Sequence, residues 1–302
     1  MPIVFTHMQL LVYICTYPLL WVISILPFRL FYLFSDLVFF MVYHVVGYRK
    51  QVVHDNLKLV FPTKTDREIK QIRKDFFKHF CDMFLETVRT MSLSKKDAAK
   101  HFKVRNMDLL LDLEKSTSVL LLCSHYGNWE WIISINNYLA SNGYAVYQKV
   151  GNFYFDRMIK RIRGRWNTTP ITQKETVKTI MLNEQENKRA VYGMVSDQSP
   201  MAHRAQYWTE FMGVKAPIFT GAESLARKLD LAVVFLKVSK VKRGFYEAEC
   251  IPITLSGSAT AEHEITDRFL ELTEHQILER PEYYLWTHRR WKHSNKVPDT
   301  SR

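Results

Sequence analysis

The chain has 302 residues, of which 47% are hydrophobic, so it can bury one large core or two modest ones, and its composition excludes intrinsic disorder. Its formal net charge of +12 indicates an anionic partner, namely nucleic acid, an anionic membrane or an acidic protein. The four cysteines are scattered without a C-x-x-C pair, which argues against a metal site and fits a cytoplasmic domain.

The N-terminal end of the chain is apolar. Residues 8–27 contain no charged side chain, and about 20 apolar residues in a helix suffice to cross a bilayer. A signal peptide would need a basic start and a small-residue cleavage site, and neither is present. We therefore predict an uncleaved anchor. If it crosses once, the basic residues that follow, Arg29, Arg49 and Lys50, place the rest of the chain in the cytoplasm.

A second apolar stretch covers residues 31–48 and carries Asp36 and His44. It predicts either a return span or a helix that lies in the membrane interface. We accordingly divide the chain into a membrane anchor or interfacial segment, 1–48, and a cytoplasmic domain, 49–302.

The cytoplasmic part alternates between helical and extended patterns. Thr65 and Glu68 form a capping box that begins an amphipathic helix ending near Met91. Lys240 to Gly244 has the composition of a hairpin turn. Beyond the first helix, apolar runs predict strands at 118–124, 144–149, 190–196, 231–238 and 245–253, and helical patterns fall near 128–141, 154–165, 173–187, 219–229 and 261–280. This alternation predicts an α/β fold with a central sheet flanked by helices.

The most informative segment is SVLLLCSHYGNWEW, residues 118–131. His125 directly follows the predicted strand, Gly127 and Asn128 suit a turn and a helix N-cap, and Glu130 falls in the first helical turn. In open α/β sheets the carboxyl ends of the strands are the usual place for chemistry. We therefore expect a functional site here.

The H-x4-E spacing of His125 and Glu130 suits acyl transfer to a hydroxyl. Histidine can take a hydroxyl proton near neutral pH, and a carboxylate on its other ring nitrogen fixes the tautomer. The alternative is a surface histidine and an unrelated glutamate placed by the helix dipole. A serine hydrolase using Ser124 would want a G-x-S-x-G elbow, and a zinc protease H-E-x-x-H; the sequence has neither.

Three further segments are candidates for binding. Asp197 and Gln198 follow the predicted strand 190–196 and either line the site or form a turn. The stretch 288–293 has basic residues around a tryptophan, which fits a membrane interface, an acidic carrier-protein surface or plain solvent. Between 149 and 165, six cations predict a membrane-surface helix, a phosphate clamp or a solvated basic helix: Lys149, Arg157, Lys160, Arg161, Arg163 and Arg165.

Several blocks in the same order resemble the bacterial late acyltransferases of lipid A biosynthesis, within the lysophospholipid acyltransferase group. The resemblance covers nearly the whole chain. The glycerophosphate branch of that group typically has H-x4-D and an F-P-E-G-type block, whereas this chain has Glu130 and lacks that block, which favours the lipid A branch. The blocks are NLKLVFP, HYGNWEW, NFYFDRMIKRIRGR, VSDQSP, GAESLARKL and YYLWTHRRWK.

The resemblance implies a mostly parallel sheet and an acyltransferase domain over 49–302 in the bacterial inner membrane, facing the cytoplasm. It implies acyl–acyl carrier protein as donor, a hydroxyacyl chain of a lipid A precursor as acceptor, no cofactor and no nucleic acid. His125 would be the general base and Glu130 its orienting carboxylate in a direct transfer. The residues assigned to substrate binding are Asn128, Lys149, Arg157, Arg161, Arg165, Asp197 and Gln198, with Arg165 the foremost clamp candidate.

Two alternatives stay open at this stage. The acceptor could be a lysophospholipid or an aminoacyl lipid, which the sequence does not distinguish. A non-catalytic basic membrane protein that binds nucleic acid or anionic lipid would also account for the charge, although the cations lie beside apolar residues rather than along a recognition helix.

Overall fold

The computed structural model describes residues 3–201 and 205–296. The α-helices are α1 (Ile3–Ile25), α2 (Phe28–Phe40), α3 (Lys50–Val60), α4 (Asp66–Arg89), α5 (Lys95–His101), α6 (Asp108–Ser116), α7 (Phe153–Gly164), α8 (Gln173–Gln185), α9 (Gly221–Leu229) and α10 (Glu264–Glu279). The strands are β1 (Phe102–Arg105), β2 (Val119–Cys123), β3 (Asn142–Tyr147), β4 (Thr168–Thr172), β5 (Ala190–Val195), β6 (Tyr207–Phe211), β7 (Val214–Ile218), β8 (Ala232–Lys242) and β9 (Phe245–Thr254). A π-helical turn, Met41–Val46, extends α2, and 3₁₀ helices cover Trp129–Asn137, Gly257–Ala259, Pro281–Tyr283 and Ser294–Lys296.

The centre of the fold is a seven-stranded sheet with the strand order β1-β9-β8-β2-β5-β3-β4. Every neighbouring pair is parallel except β8 and β9, which form the antiparallel hairpin expected at Lys240 to Gly244. The predicted α/β class with a mostly parallel sheet is confirmed. The short strands β1 and β4 and the separate β6–β7 hairpin were not predicted, because each strand is only four or five residues long and lacks a continuous apolar run.

Strand β2 contributes to two cores because its successive side chains point to opposite faces of the sheet. Leu120 and Leu122 belong to the core that α3, α4, α8 and α10 cover. Val119, Leu121 and Cys123 belong to the core beneath α5, α6 and the 3₁₀ helix that follows β2. All five side chains are buried, so β2 reads as a continuous apolar run, as expected for a central parallel strand.

Both apolar N-terminal stretches are helical. The segments His7–Ile25 and Phe28–Val46 are long and apolar enough to cross a membrane by length and composition, and 17% of each is buried. Pro18 lies inside α1 without ending it. These two helices are compatible with membrane association.

Helix α4 begins as its sequence predicts. The Thr65 hydroxyl accepts a hydrogen bond from the Glu68 amide, and Glu68 accepts one from the Thr65 amide at 2.8 Å, which completes the capping box. The preceding segment contains α3. Its apolar side of Val53, Leu57 and Val60 is buried, which explains the helix.

The NLKLVFP block and the C-terminal YYLWTHRRWK block meet at Asn56. The Asn56 amide donates hydrogen bonds to the carbonyls of Trp286 at 2.8 Å and His288 at 2.9 Å. Because Asn56 is buried, water cannot replace these bonds. Two sequence blocks 230 residues apart are therefore held together by one side chain.

We expect Asn56→Ala to destabilise the protein by about 2 kcal/mol, because it leaves one buried and one partly buried carbonyl without their donor. The melting temperature of the detergent-solubilised protein, followed by circular dichroism, measures the effect. Asp55→Ala is the matched control, since Asp55 is exposed on the same helix, and its change should stay below about 0.5 kcal/mol. Equal melting temperatures for both variants would contradict the role given to Asn56.

Two residues of the C-terminal stretch 288–293 do not fit the surface roles considered for it. Trp291 is buried, and its indole N–H donates to the Phe211 carbonyl at 3.1 Å. Arg290 is also buried and donates to the Ser199 hydroxyl at 2.8 Å and the Pro217 carbonyl at 3.2 Å. These two residues therefore pack inside the domain and are not available to a membrane or a carrier protein.

Candidate active site

His125 and Asp197 come together because β2 and β5 are adjacent parallel strands. Cys123 pairs with Val195 at the carboxyl ends of these strands, and the Ser196 amide donates to the Cys123 carbonyl at 3.1 Å. The residues that follow each strand consequently leave the sheet side by side. These residues lie at the carboxyl ends of the strands, where the sequence predicts a functional site.

The imidazole of His125 is held by Asp197. His125 Nδ1 lies 2.7 Å from Asp197 Oδ1, and the His125 amide donates to the same oxygen at 3.1 Å. A carboxylate only accepts hydrogen bonds, so Nδ1 carries the ring proton and Nε2 is left as an acceptor. The pair therefore has the geometry of a base and its orienting carboxylate.

The free side of the imidazole is bordered by Gln198 and Trp129. Gln198 Nε2 is 3.2 Å from His125 Nε2, where the amide is the donor, and the Trp129 ring centroid is 5.1 Å from that of His125. The His125 side chain is 18% exposed. The structure thus places the predicted residues His125, Asp197 and Gln198 together.

Asp197 stays ionised although its side chain is only 1% exposed. Burial on its own would raise the pKa of this carboxyl group, but the charge of His125 and the hydrogen bonds from its ring and amide outweigh burial and lower the pKa below its ordinary value. Nearby, burial lowers the pKa of His288 to about 4, so this second imidazole is neutral at neutral pH.

Glu130 occupies a different place from the one its spacing predicted. The carboxylate on His125 Nδ1 is Asp197, whereas Glu130 Oε2 accepts from Arg163 Nη2 at 3.2 Å. Glu130 lies in the first turn of the 3₁₀ helix, as expected, and that turn directs it toward α7. The Arg163 guanidinium also lies over the ring of Tyr147, with 5.5 Å between Arg163 Cζ and the ring centroid. Its Nη1 is buried and has no hydrogen-bond partner among the described residues.

The loop after His125 is anchored to α4 and to the C-terminal block. The Gly127 amide donates to the Tyr283 carbonyl at 3.0 Å, and the Gly127 carbonyl accepts from His79 Nε2 at 3.2 Å. Asn128 is fully buried. Its Oδ1 accepts from the Trp131 amide as a helix N-cap, and its Nδ2 donates to Glu86 at 2.7 Å. Both polar ends of Asn128, a predicted substrate-binding residue, are thus used inside the protein.

Glu86 is the centre of a buried cluster that fixes this loop. Besides Asn128, it accepts hydrogen bonds from the hydroxyls of Tyr32 and Tyr246, each at 2.8 Å, and its backbone carbonyl accepts from the indole of Trp131 at 3.0 Å. Burial raises the pKa of Glu86. This carboxyl group connects α2, α4 and β9 to the loop that carries His125.

Gly127 has a left-handed backbone, with φ at 59°, and a Cβ added there would lie 3.0 Å from Val238 Cγ1. We expect Gly127→Ala to destabilise the protein by about 2 kcal/mol and to reduce turnover, because the loop must shift beside His125. The matched control is Gly213→Ala, where φ is 72° and no atom lies within 4 Å of the added Cβ. Thermal unfolding and turnover should separate the two variants; equal losses would contradict the close packing at Gly127.

The basic helix α7 uses its cations in different ways. Arg165, the foremost clamp candidate, donates to the carbonyls of Thr90, Met91 and Leu93, which follow the end of α4. Arg157 and Arg161 are exposed and form no ion pair among the described residues, and they line a cleft of about 950 Å³ between α1 and α7. Lys149 is exposed just before α7.

Sequence reasoning did not select Arg163 or Glu86 as site residues. Arg163 is one of six cations in its segment, and only the fold shows that it faces Glu130. Glu86 lies in the apolar part of α4, where a buried acid is a signal in itself, since an acidic side chain is almost never fully buried without partners. Among the residues described, no cluster of three His, Cys, Asp or Glu side chains could hold a metal ion.

Comparison of the sequence with known protein families identifies one family. The profile of the family described as "Bacterial lipid A biosynthesis acyltransferase" matches residues 3–293, which is nearly the whole chain. A search of curated proteins found no match.

Proposed function

Because the chain belongs to the bacterial lipid A biosynthesis acyltransferase family, we propose that it transfers a fatty-acyl chain from an acyl thioester to a hydroxyl of a lipid A precursor. The family implies an acyltransferase. The donor we propose is acyl–acyl carrier protein, and the acceptor hydroxyl is that of a hydroxyacyl chain. The domain would work at the cytoplasmic face of the inner membrane.

One observation carries this proposal: His125 Nδ1 donates to Asp197 at 2.7 Å at the carboxyl end of a central strand, which leaves Nε2 as a base. A hydroxyl of the acceptor would take the place of Gln198 at Nε2 or share that nitrogen with it. The ionised Asp197 then stabilises the imidazolium that forms when the proton arrives.

The reaction follows from these two groups. As Nε2 of His125 removes the hydroxyl proton, the hydroxyl oxygen forms a bond to the thioester carbonyl carbon. The tetrahedral intermediate collapses with cleavage of the carbon–sulfur bond, and the departing sulfur takes the proton back from His125. No nucleophilic side chain is required, so the transfer is direct.

The Glu130–Arg163 pair has a supporting role in this proposal. Glu130 holds the Arg163 guanidinium on one side, and Nη1 is buried without a hydrogen-bond partner among the described residues. We propose that Nη1 donates to an oxygen of the acyl carbonyl or of a lipid phosphate once a bound substrate reaches it. Glu130 thus acts on the substrate through Arg163. The role of orienting His125, which the H-x4-E spacing predicts for Glu130, stays a prediction.

The test is an assay of the detergent-solubilised protein with labelled acyl–acyl carrier protein and a lipid A precursor. We expect one added acyl chain, detected by mass spectrometry. A precursor without the hydroxyl on its acyl chain is the matched control and should not react. Transfer only to a lysophospholipid or an aminoacyl lipid would contradict the proposed acceptor. Salt-sensitive DNA binding without any transfer would contradict the enzyme itself.

A further inference from the structure

Helix α1 contacts the cytoplasmic domain at both of its ends. Near the N-terminal end, the Gln9 side chain accepts from the Phe153 amide at 3.1 Å and donates to the Gly151 carbonyl at 3.2 Å. Near the C-terminal end, Arg89 Nη1 donates to the carbonyls of Ser24 and Leu26. A helix that left the domain to cross a bilayer would be held at one end only, so α1 lies along the domain.

Helix α2 runs antiparallel to α4 and is held over its length in the same way. Tyr32 donates to Glu86 at 2.8 Å and Ser35 donates to Asp82 at 2.7 Å. Further along, the rings of Tyr43 and Phe77 lie 5.5 Å apart.

The acidic residue of α2 also has a partner in the domain. Asp36 pairs with Arg243 of the β8–β9 turn, with 2.7 Å between Oδ1 and Nη2, and Arg243 pairs with Asp82 of α4 at the same distance. An unpaired carboxylate would oppose burial in lipid, whereas this one is neutralised on the domain side of the helix.

The sides of α1 and α2 that face away from the domain are apolar and open. Large exposed side chains follow one another along both helices: Leu11, Val12, Ile14, Leu19, Val22 and Ile25 on α1, and Leu30, Leu33, Leu37 and Phe40 on α2. An exposed apolar surface of this extent marks an interaction site.

A bilayer-spanning orientation conflicts with these contacts. About 22 Å of helix separates Gln9 from Ser24, and a hydrocarbon core is about 30 Å thick. If α1 stood along the membrane normal, the contacts between α1 and α7 would place α7 inside the hydrocarbon core. Its exposed cations Arg157, Lys160 and Arg161 would then lie in the hydrocarbon as well. Charged side chains at such a depth are strongly unfavourable.

The cleft between α1 and α7 shows where the lipid headgroups would lie. Tyr13, Tyr17 and Trp21 of α1 face Arg157 and Arg161 of α7 across this cleft. Tyrosine and tryptophan are enriched at membrane–water interfaces, and arginine binds phosphate well. The apolar side and the cationic cleft together match the acyl and phosphate layers of one leaflet.

We propose that α1 and α2 lie in the plane of the membrane and embed in a single leaflet of an anionic bilayer, with the beginning of α1 and the domain on the same side. The cations of the cleft contact the lipid phosphates. This arrangement replaces the single crossing that the hydropathy of residues 8–27 predicts, and it does not depend on acyl transfer.

Cysteine labelling of the full chain in membranes tests the orientation. With Cys15→Ser as background, His7→Cys reports the N-terminal side and Ser116→Cys, exposed on α6, reports the domain side. We expect an impermeant maleimide to label both positions in inverted vesicles and neither in right-side-out vesicles. Labelling of the two positions from opposite sides would overturn the proposal. Labelling of Arg29→Cys, exposed at the start of α2, in right-side-out vesicles would overturn it too, because two crossings would bring that position to the far side of the bilayer.

Vesicle binding tests the surface independently. In phosphatidylethanolamine–phosphatidylglycerol vesicles, Leu33→Glu with Leu37→Glu should weaken binding at least about tenfold. The matched control, Val177→Glu with Leu182→Glu on exposed apolar positions of α8, should bind as the unchanged protein does. Arg157→Gln and Arg161→Gln should each cost roughly fivefold on anionic vesicles and nothing on phosphatidylcholine. Equal binding by all these variants would overturn the assignment.

Discussion

His125→Ala is expected to lower kcat by about 10²–10⁴-fold, because it removes the group that takes the hydroxyl proton. In free-energy terms a 10³-fold loss is about 4 kcal/mol of transition-state stabilisation. The imidazole contacts Asp197, Gln198 and Trp129 beyond the carboxyl ends of the central strands, so the substitution leaves the two cores intact. The melting temperature should therefore change little while turnover collapses.

Two comparisons make the His125 result specific. His275→Ala, on the exposed side of α10, is the matched control and should keep full turnover. The initial rate with saturating donor and acceptor separates kcat from binding. Near-wild-type turnover in purified, folded His125→Ala would exclude this residue as the base.

Local signals were sufficient for most of the fold. The Thr65–Glu68 capping box determines where α4 begins, since both partners lie within one turn. The five apolar runs became strands, and among them β2 and β5 are buried along most of their length, as expected for central strands of a parallel sheet. Such features depend on neighbours in sequence and can be read from it.

The pairing of the site residues could not be read in this way. Asp197 reaches His125 because β5 lies beside β2 in the sheet, and a sequence does not give the order of its strands. The spacing argument gave this position to Glu130, the nearest carboxylate along the chain. In the structure Glu130 instead accepts a hydrogen bond from Arg163 of α7. Likewise, nothing local distinguishes Arg163 from Arg165, which caps α4 instead.

The C-terminal block YYLWTHRRWK shows a second feature that local sequence does not predict. A tryptophan among basic residues is typical of a membrane interface, and the same composition occurs where an arginine is buried and donates hydrogen bonds inside the protein. Arg290 belongs to the second case, since it donates to the Ser199 hydroxyl and the Pro217 carbonyl. Only the packing of β6 and β7 against this block distinguishes the two.

Asp197→Asn is expected to lower kcat by about 10²–10⁴-fold with little change in the acceptor KM. The amide can present its NH₂ group to the imidazole, which turns the ring to the wrong tautomer and removes the charge that stabilises the imidazolium. Asparagine has nearly the same volume as aspartate, so the buried position stays filled and the fold is retained. Turnover and melting temperature, measured on the same preparation, distinguish the two effects.

A double-mutant cycle separates Asp197 from Glu130. Glu130→Gln weakens the 3.2 Å contact with Arg163, so its effect should be strongly non-additive with Arg163→Gln and nearly additive with Asp197→Asn. If Glu130→Gln instead removed as much kcat as His125→Ala while Asp197→Asn stayed near wild type, the orienting carboxylate would be Glu130 during turnover. The loop after β2 would then have to rearrange on substrate binding, because in this structure Asp197 holds the His125 imidazole and amide with one oxygen.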